Sequence, residues 1–133
     1  MTLPSIGGGR QLGDGNTNEV VLNTQAAPAT AIDTATLTIA QLVTGLLLAS
    51  PTTTASYTLP TVALTEALLV NAKVDSSFDF SMINVTGSGV ITVLVGTGWT
   101  IVGLATTAGT AGLTHRYRAR KTGTGTWTLY TLA

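Results

Sequence analysis

Few side chains in this sequence could carry covalent or proton-transfer chemistry, and their spacing argues against it. There is no cysteine and His115 is the single histidine. A nucleophilic triad needs a base beside its nucleophile and a carboxylate to orient that base. His115 instead has Arg116 and Arg118 nearby, which supply no carboxylate to orient it. Asp75 and Asp79 are four apart across a turn and a strand, a spacing that does not converge them as acid and base. Gly13-Asp14-Gly15-Asn16 lacks the later oxygen ligands of a calcium loop. Gly7-Gly8-Gly9-Arg10 and Lys121-Thr122-Gly123 lack phosphate-loop spacing. Asn84-Val85-Thr86 matches a glycosylation acceptor, a pattern with little weight where no secretory signal is expected. The expectation is a protein that is not an enzyme, with no catalytic, cofactor-binding or metal site.

The sharpest chemical feature is cationic. Arg116, Arg118 and Arg120 recur with period two, so a strand would put them on one face and His115, Tyr117 and Ala119 on the other. With Lys121 they supply four of the six basic residues, whereas every acid lies before residue 80. Such a row suits contact with acidic protein groups within or between subunits, or protection of a sheet edge. Zero net charge and few aromatics argue against nucleic acid as a partner. Arg116, Arg118, Arg120 and Lys121 are therefore candidate partner-binding residues.

The elements that must position this row follow from composition. A chain of 133 residues is one domain in size. Threonine supplies about one residue in five, apolar residues 44% and charged residues only 9%. That is a β composition with too few charges to keep a lone exterior soluble, so other subunits or a larger assembly should cover much of it. The longest apolar run, Leu42 to Ala49, is interrupted by Thr44 and Gly45 and is short of the roughly 20 residues of a bilayer span.

Along the chain, residues 1–34 read as an extended arm rich in Gly, Ala and Pro. Its one apolar cluster, Val20, Val21 and Leu22, is a second candidate for partner contact. Residues 35–133 read as the domain. Ala35 to Ser50 predicts two strands, or one bent at Gln41, with Gly45 marking a bulge. Ser56 to Leu59 predicts another strand. Thr61 caps the one short helix expected, Val62 to about Leu69, which would plug an open end of the body. Ser77 to Val85 alternates, with Phe78 and Phe80 as core candidates; Val90 to Val95 reads as a strand buried on both sides; Trp99 to Val102 follows. Leu113 to Leu132 forms a closing hairpin about Gly123-Thr124-Gly125. The fold class expected is all-β, a β-sandwich or jelly-roll-like domain with one short helix and an extended N-terminal arm.

A resemblance rests on Leu-Pro-Thr at 59–61, Ser-Phe-Asp-Phe-Ser-Met-Ile-Asn at 77–84, Gly-Thr-Gly-Trp-Thr-Ile-Val-Gly at 96–103 and Arg-Ala-Arg-Lys-Thr-Gly-Thr-Gly-Thr-Trp-Thr-Leu-Tyr at 118–130. This succession resembles small virion proteins of tailed bacteriophages, above all capsid decoration (cement) proteins. The resemblance implies a β-sandwich or jelly roll that forms a homotrimer on the outer surface of the head, bound to the major capsid protein, with the arm reaching neighbours. Similar modules in tail fibres leave a receptor-binding role as the alternative. No membrane, nucleic acid or cofactor is implied.

Overall fold

The structure, a computed structural model, describes residues 22–107 and 111–133. Ten strands and two helices follow in the order β1 (Ala29–Ala31), β2 (Ala35–Thr36), α1 (Ile39–Val43), β3 (Leu46–Ala49), β4 (Ala55–Thr58), α2 (Val62–Leu68), β5 (Ser77–Asn84), β6 (Ile91–Leu94), β7 (Trp99–Val102), β8 (Thr106–Thr107), β9 (Leu113–Gly123) and β10 (Thr126–Thr131). The protein is mostly β. A six-stranded sheet has the order β1-β3-β5-β9-β10-β7, and a four-stranded sheet the order β2-β4-β6-β8.

From β1 to β6 consecutive strands alternate between the sheets, so β1, β3 and β5 stack in parallel in one and β2, β4 and β6 in the other. Ala29 lies beside Leu47 and Leu47 beside Met82 in the larger sheet; Ala35 lies beside Tyr57 and Tyr57 beside Val93 in the smaller. Parallel neighbours need a crossover longer than a hairpin turn. Here each crossover runs through the other sheet, and twice it returns through a helix, giving a repeated strand–strand–helix coil. Antiparallel pairing is confined to β5–β9, β9–β10 and β6–β8. A jelly roll would pair its strands antiparallel throughout.

The repeat is written in the side chains. Thr36-Leu37-Thr38-Ile39-Ala40 and Thr58-Leu59-Pro60-Thr61-Val62-Ala63 give the same local instruction. Each follows a strand with a buried leucine, caps a helix with threonine and starts it on a buried β-branched residue. Leu37, Leu59, Ile39 and Val62 are all buried. Thr61 Oγ1 accepts from the Leu64 amide at 3.3 Å. At α1 the cap is reciprocal: Thr38 Oγ1 accepts from the Gln41 amide at 3.2 Å, and Gln41 Oε1 accepts from the Thr38 amide at 2.8 Å. This capping box overrides the strand-like composition of the segment, so the strand expected at residues 38–43 is a helix and the body has two helices rather than one. Gly45, at φ +82°, follows the C-cap of α1 and is not a bulge.

One core joins both sheets. Leu47, Phe80, Met82, Tyr117, Trp127 and Leu129 come from the larger sheet and Tyr57, Ile91 and Val93 from the smaller, with Leu42 and Val62 of the helices closing one end. Buried polar groups tie coil to coil: the Tyr57 hydroxyl donates to Ile32 O at 2.8 Å and the Trp99 indole to Pro60 O at 2.7 Å. Strand β6 is buried on one face only, since Leu94 is 44% exposed; the expectation of a strand covered on both sides fails because no element packs outside the smaller sheet among the described residues. Strand β1, inside the segment read as an arm, is the edge of the larger sheet, and Ile32 anchors Tyr57. Folded structure among the described residues therefore begins at Ala29.

Tyr117 is wholly buried, stacks on Phe80 at 5.2 Å and has no hydrogen-bond partner for its hydroxyl. A buried hydroxyl without a partner costs stability. Tyr117→Phe is therefore expected to raise the unfolding free energy by about 1 kcal/mol, read from the urea midpoint at constant slope. Burial also pushes the Tyr117 pKa up to about 12. The folded state keeps this proton where the unfolded state loses it, so stability is intact below pH 10 and declines as pH rises from about 10 to 12. The Phe variant should show a shallower alkaline decline; an unchanged midpoint and alkaline limb would refute the assignment.

Candidate interaction surfaces

The arginine row lies on the solvent face of the larger sheet because strand β9 points Tyr117 and Ala119 inward. Its neighbour β5 sets Asp79 opposite Arg118, with Ser81 opposite Arg116 and Ser77 opposite Arg120. Arg118 grips Asp79 with two bonds, Nε to Oδ1 at 2.7 Å and Nη2 to Oδ2 at 3.0 Å. Arg116 Nη2 reaches the same Oδ2 at 3.0 Å. Arg120 donates to Asp75 Oδ1 at 2.8 and 3.1 Å and to the Tyr130 hydroxyl at 2.9 Å. Asp75 is held for this by a left-handed backbone, φ 74°, and by its amide bond to Lys121 O. Three cations over two carboxylates leave a net positive ladder in which every arginine already has an acidic partner in its own chain.

Lys121 does not join the row. As an odd-numbered residue of β9 it turns to the other face, where Nζ meets Glu66 Oε1 at 2.9 Å and Ala72 O at 3.3 Å. The Trp127 indole donates to the same Glu66 oxygen at 3.3 Å, so this cluster fastens α2 to the closing hairpin. Of the arm candidates, Val20 and Val21 lie outside the described residues; Leu22 is 86% exposed and belongs to no helix or strand.

Hydrogen bonds from Arg118 hold the Asp79 carboxyl below its usual range, and the Lys121 ammonium does the same for Glu66. A depressed carboxylate contributes stability that is complete above the unfolded value near pH 4 and is lost as pH falls through the folded one. Stability should therefore fall with acidification below about pH 4, and Asp79→Asn should flatten that limb in urea titrations at successive pH values. An acid limb identical to that of the parent chain would remove the ladder from the account.

The second surface was not foreseen. On α2, the helix expected to plug an open end of the body, Val62 and Thr65 face the core while Leu64 and Leu68 are 60% and 50% exposed. Thr65 satisfies its hydroxyl by donating to Thr61 O at 3.0 Å, which lets a polar residue take the inner position. Val43 on α1, and Val70 and Val74 beyond α2, are also exposed. Beside them lies an open groove of about 330 Å³, with Phe78 and Trp127 among its walls and Leu68 and Val70 at its edge. The signal available in the sequence was the near absence of charge in Val62–Leu68, where Glu66 alone is ionised.

Other candidates resolve simply. Asn84 is buried, donating to Gly89 O at 3.0 Å and accepting from the Gly87 amide at 2.9 Å, so it shapes a turn and is inaccessible as a glycan acceptor. His115 is half-buried and stacked at 6.1 Å from Tyr117. Among the described residues no three His, Cys, Asp or Glu side chains gather as a metal site, and no helix is long and apolar enough to cross a membrane. Compared with models of known protein families, with curated proteins and with solved structures, the chain matches none.

Proposed function

We propose that this chain is a non-enzymatic structural protein of a phage virion, which decorates the outside of the capsid as a homotrimer and bridges neighbouring major capsid subunits. The observation that carries the reading is the division of the surface. Charge is spent in pairs on one sheet and the Glu66 cluster, while the smaller sheet and the helix end present Thr, Ala, Leu and Val with hardly a charge. A surface of that kind favours burial against other proteins over solvation or catalysis. Repeated on a trimer, weak footprints reinforce one another because each bound contact raises the effective concentration of the next. Two sheets about one core form the body that, in this reading, spans between capsid subunits.

A second reading, a tail-fibre or receptor-binding module, is favoured by the exposed edges of Arg116 and Arg118, whose net positive ladder suits carboxylate-bearing glycans. Incubating heads that lack the protein with purified chain, then sedimenting them, tests the first reading. Saturable co-sedimentation with heads is expected; binding to tails or to host glycan alone would overturn it.

A further inference from the structure

The outer face of the larger sheet carries donors that pairing inside the chain does not exhaust. Register across β5, β9, β10 and β7 sets its side chains in rows over four strands spaced about 4.8 Å apart. One row is Ser77, Arg120, Thr128 and Thr100, and the next is Asp79, Arg118, Tyr130 and Val102. Arg116 follows, with Ser81 beside it on β5. The arginines thus form a column at intervals of about 6.7 Å, each with a hydroxyl-bearing neighbour.

Pairing holds this column in place and leaves it positive. Arg116 gives a single bond, to an Asp79 oxygen that Arg118 already holds, and its side chain is 57% exposed. A guanidinium carries five N–H donors, so Arg116 keeps a free edge. On the other flank β7 and β10 contain no ionised residue, and no carboxylate competes from that side. Among the described residues the hydroxyls of Ser77, Ser81, Thr100 and Thr128 make no hydrogen bond. Tyr130, half-buried and held through its hydroxyl by Arg120 at 2.9 Å, is the one aromatic residue on this face of the four strands.

These groups together match the chemistry of an acidic sugar polymer. Its carboxylates suit arginine, its hydroxyls suit serine and threonine, and its rings can pack on an aromatic side chain. A protein partner would be met by an apolar centre, whereas the middle of this face holds guanidiniums and hydroxyls. Single-stranded nucleic acid would call for several stacking rings and a larger excess of positive charge. We propose that this face binds a carboxylate-bearing polysaccharide, with its acid groups on the free edges of Arg116 and Arg118 and a neighbouring sugar ring on Tyr130. The inference rests on the receptor-binding reading and deepens it, naming the ligand and the residues that hold it.

Affinity electrophoresis of the full-length chain in gels containing polygalacturonate tests the proposal, with dextran as the neutral polymer, heparin as the sulfated one and polyglutamate as the acidic peptide. Retardation by polygalacturonate but not by dextran is expected, weakening as salt is added. Arg116→Gln should lower the affinity at least about fivefold. Both Arg118 bonds to Asp79 survive that change, so its circular dichroism should match the parent. Lys73→Gln, which removes the same charge outside the face, should change nothing. Tyr130→Leu should weaken binding several-fold without altering the salt dependence, a signature that charge attraction alone does not give. No retardation, equal losses from Lys73→Gln and Arg116→Gln, or binding to heparin or polyglutamate as tight as to polygalacturonate would overturn the inference. Antibody label on tails without retardation would sink the inference and leave the receptor-binding reading standing with another ligand. Retardation of a chain found only on heads would sink that reading and keep the binding face.

Discussion

Gly89→Ala is expected to leave the chain unfolded or to cost more than about 4 kcal/mol, a large share of the 5–15 kcal/mol that holds a domain together. Gly89 sits in the turn between β5 and β6, and a Cβ there would lie 2.1 Å from Thr53 O, 2.2 Å from Thr53 C and 2.6 Å from Thr54 N. All three atoms are backbone, so no rotamer change relieves the clash. Moving the Thr53–Thr54 turn would break the adjacent Ala55 amide bond to Val90 O, which joins β4 to the start of β6 at this end. Gly112→Ala is the control. Its φ is +80° but nothing lies within 4 Å of a Cβ, so only the conformational cost of about 1 kcal/mol applies. Urea unfolding of the two variants should differ several-fold in free-energy loss; equal losses would mean that the coils do not pack as closely as described.

Trp127→Ala should be the most damaging truncation of a side chain. Trp127 is 1% exposed, lies 5.6 Å from Trp99 and 6.1 Å from Phe78 between ring centroids, and donates its indole N–H to Glu66. It therefore joins β10 to β7, to β5 and to α2. Removing a large buried aromatic costs about 3–5 kcal/mol, for a melting temperature lower by roughly 15 °C. Trp127→Phe keeps much of the volume and loses the hydrogen bond, so an intermediate loss is expected. A melting temperature within a few degrees of the parent for the Ala variant would show that the closing hairpin does not anchor the helix end.

Alternation made the hairpin legible in the sequence. Tyr117, Ala119, Trp127 and Leu129 face inward and Arg116, Arg118 and Arg120 outward, as period two demands. Thr61 likewise announced α2. The partners of the arginines were not legible, because pairing β5 with β9 depends on register across some 40 residues, and no local pattern encodes it. Parity along β9 was enough to separate Lys121 from the row, since it shares the odd positions of Tyr117 and Ala119.

The parallel coils were missed for a different reason. Short β-rich segments with frequent turns suggest hairpins, and the cue that says otherwise is the recurrence of Thr-Leu before a Thr cap at 36–38 and 58–61. That repeat also contained α1, hidden by the β-branched residues of Leu37-Thr38-Ile39 until the Thr38–Gln41 capping box is noticed. The exposed leucines of α2 depart from the ordinary rule of helix burial because Val62 and Thr65 take the inner positions.

Immunogold labelling of intact particles with antibody against the chain puts the account at most direct risk. Gold distributed over the outer surface of heads, and absent from tails, is the result predicted. Label confined to tail tips, or no label on any particle, would contradict it.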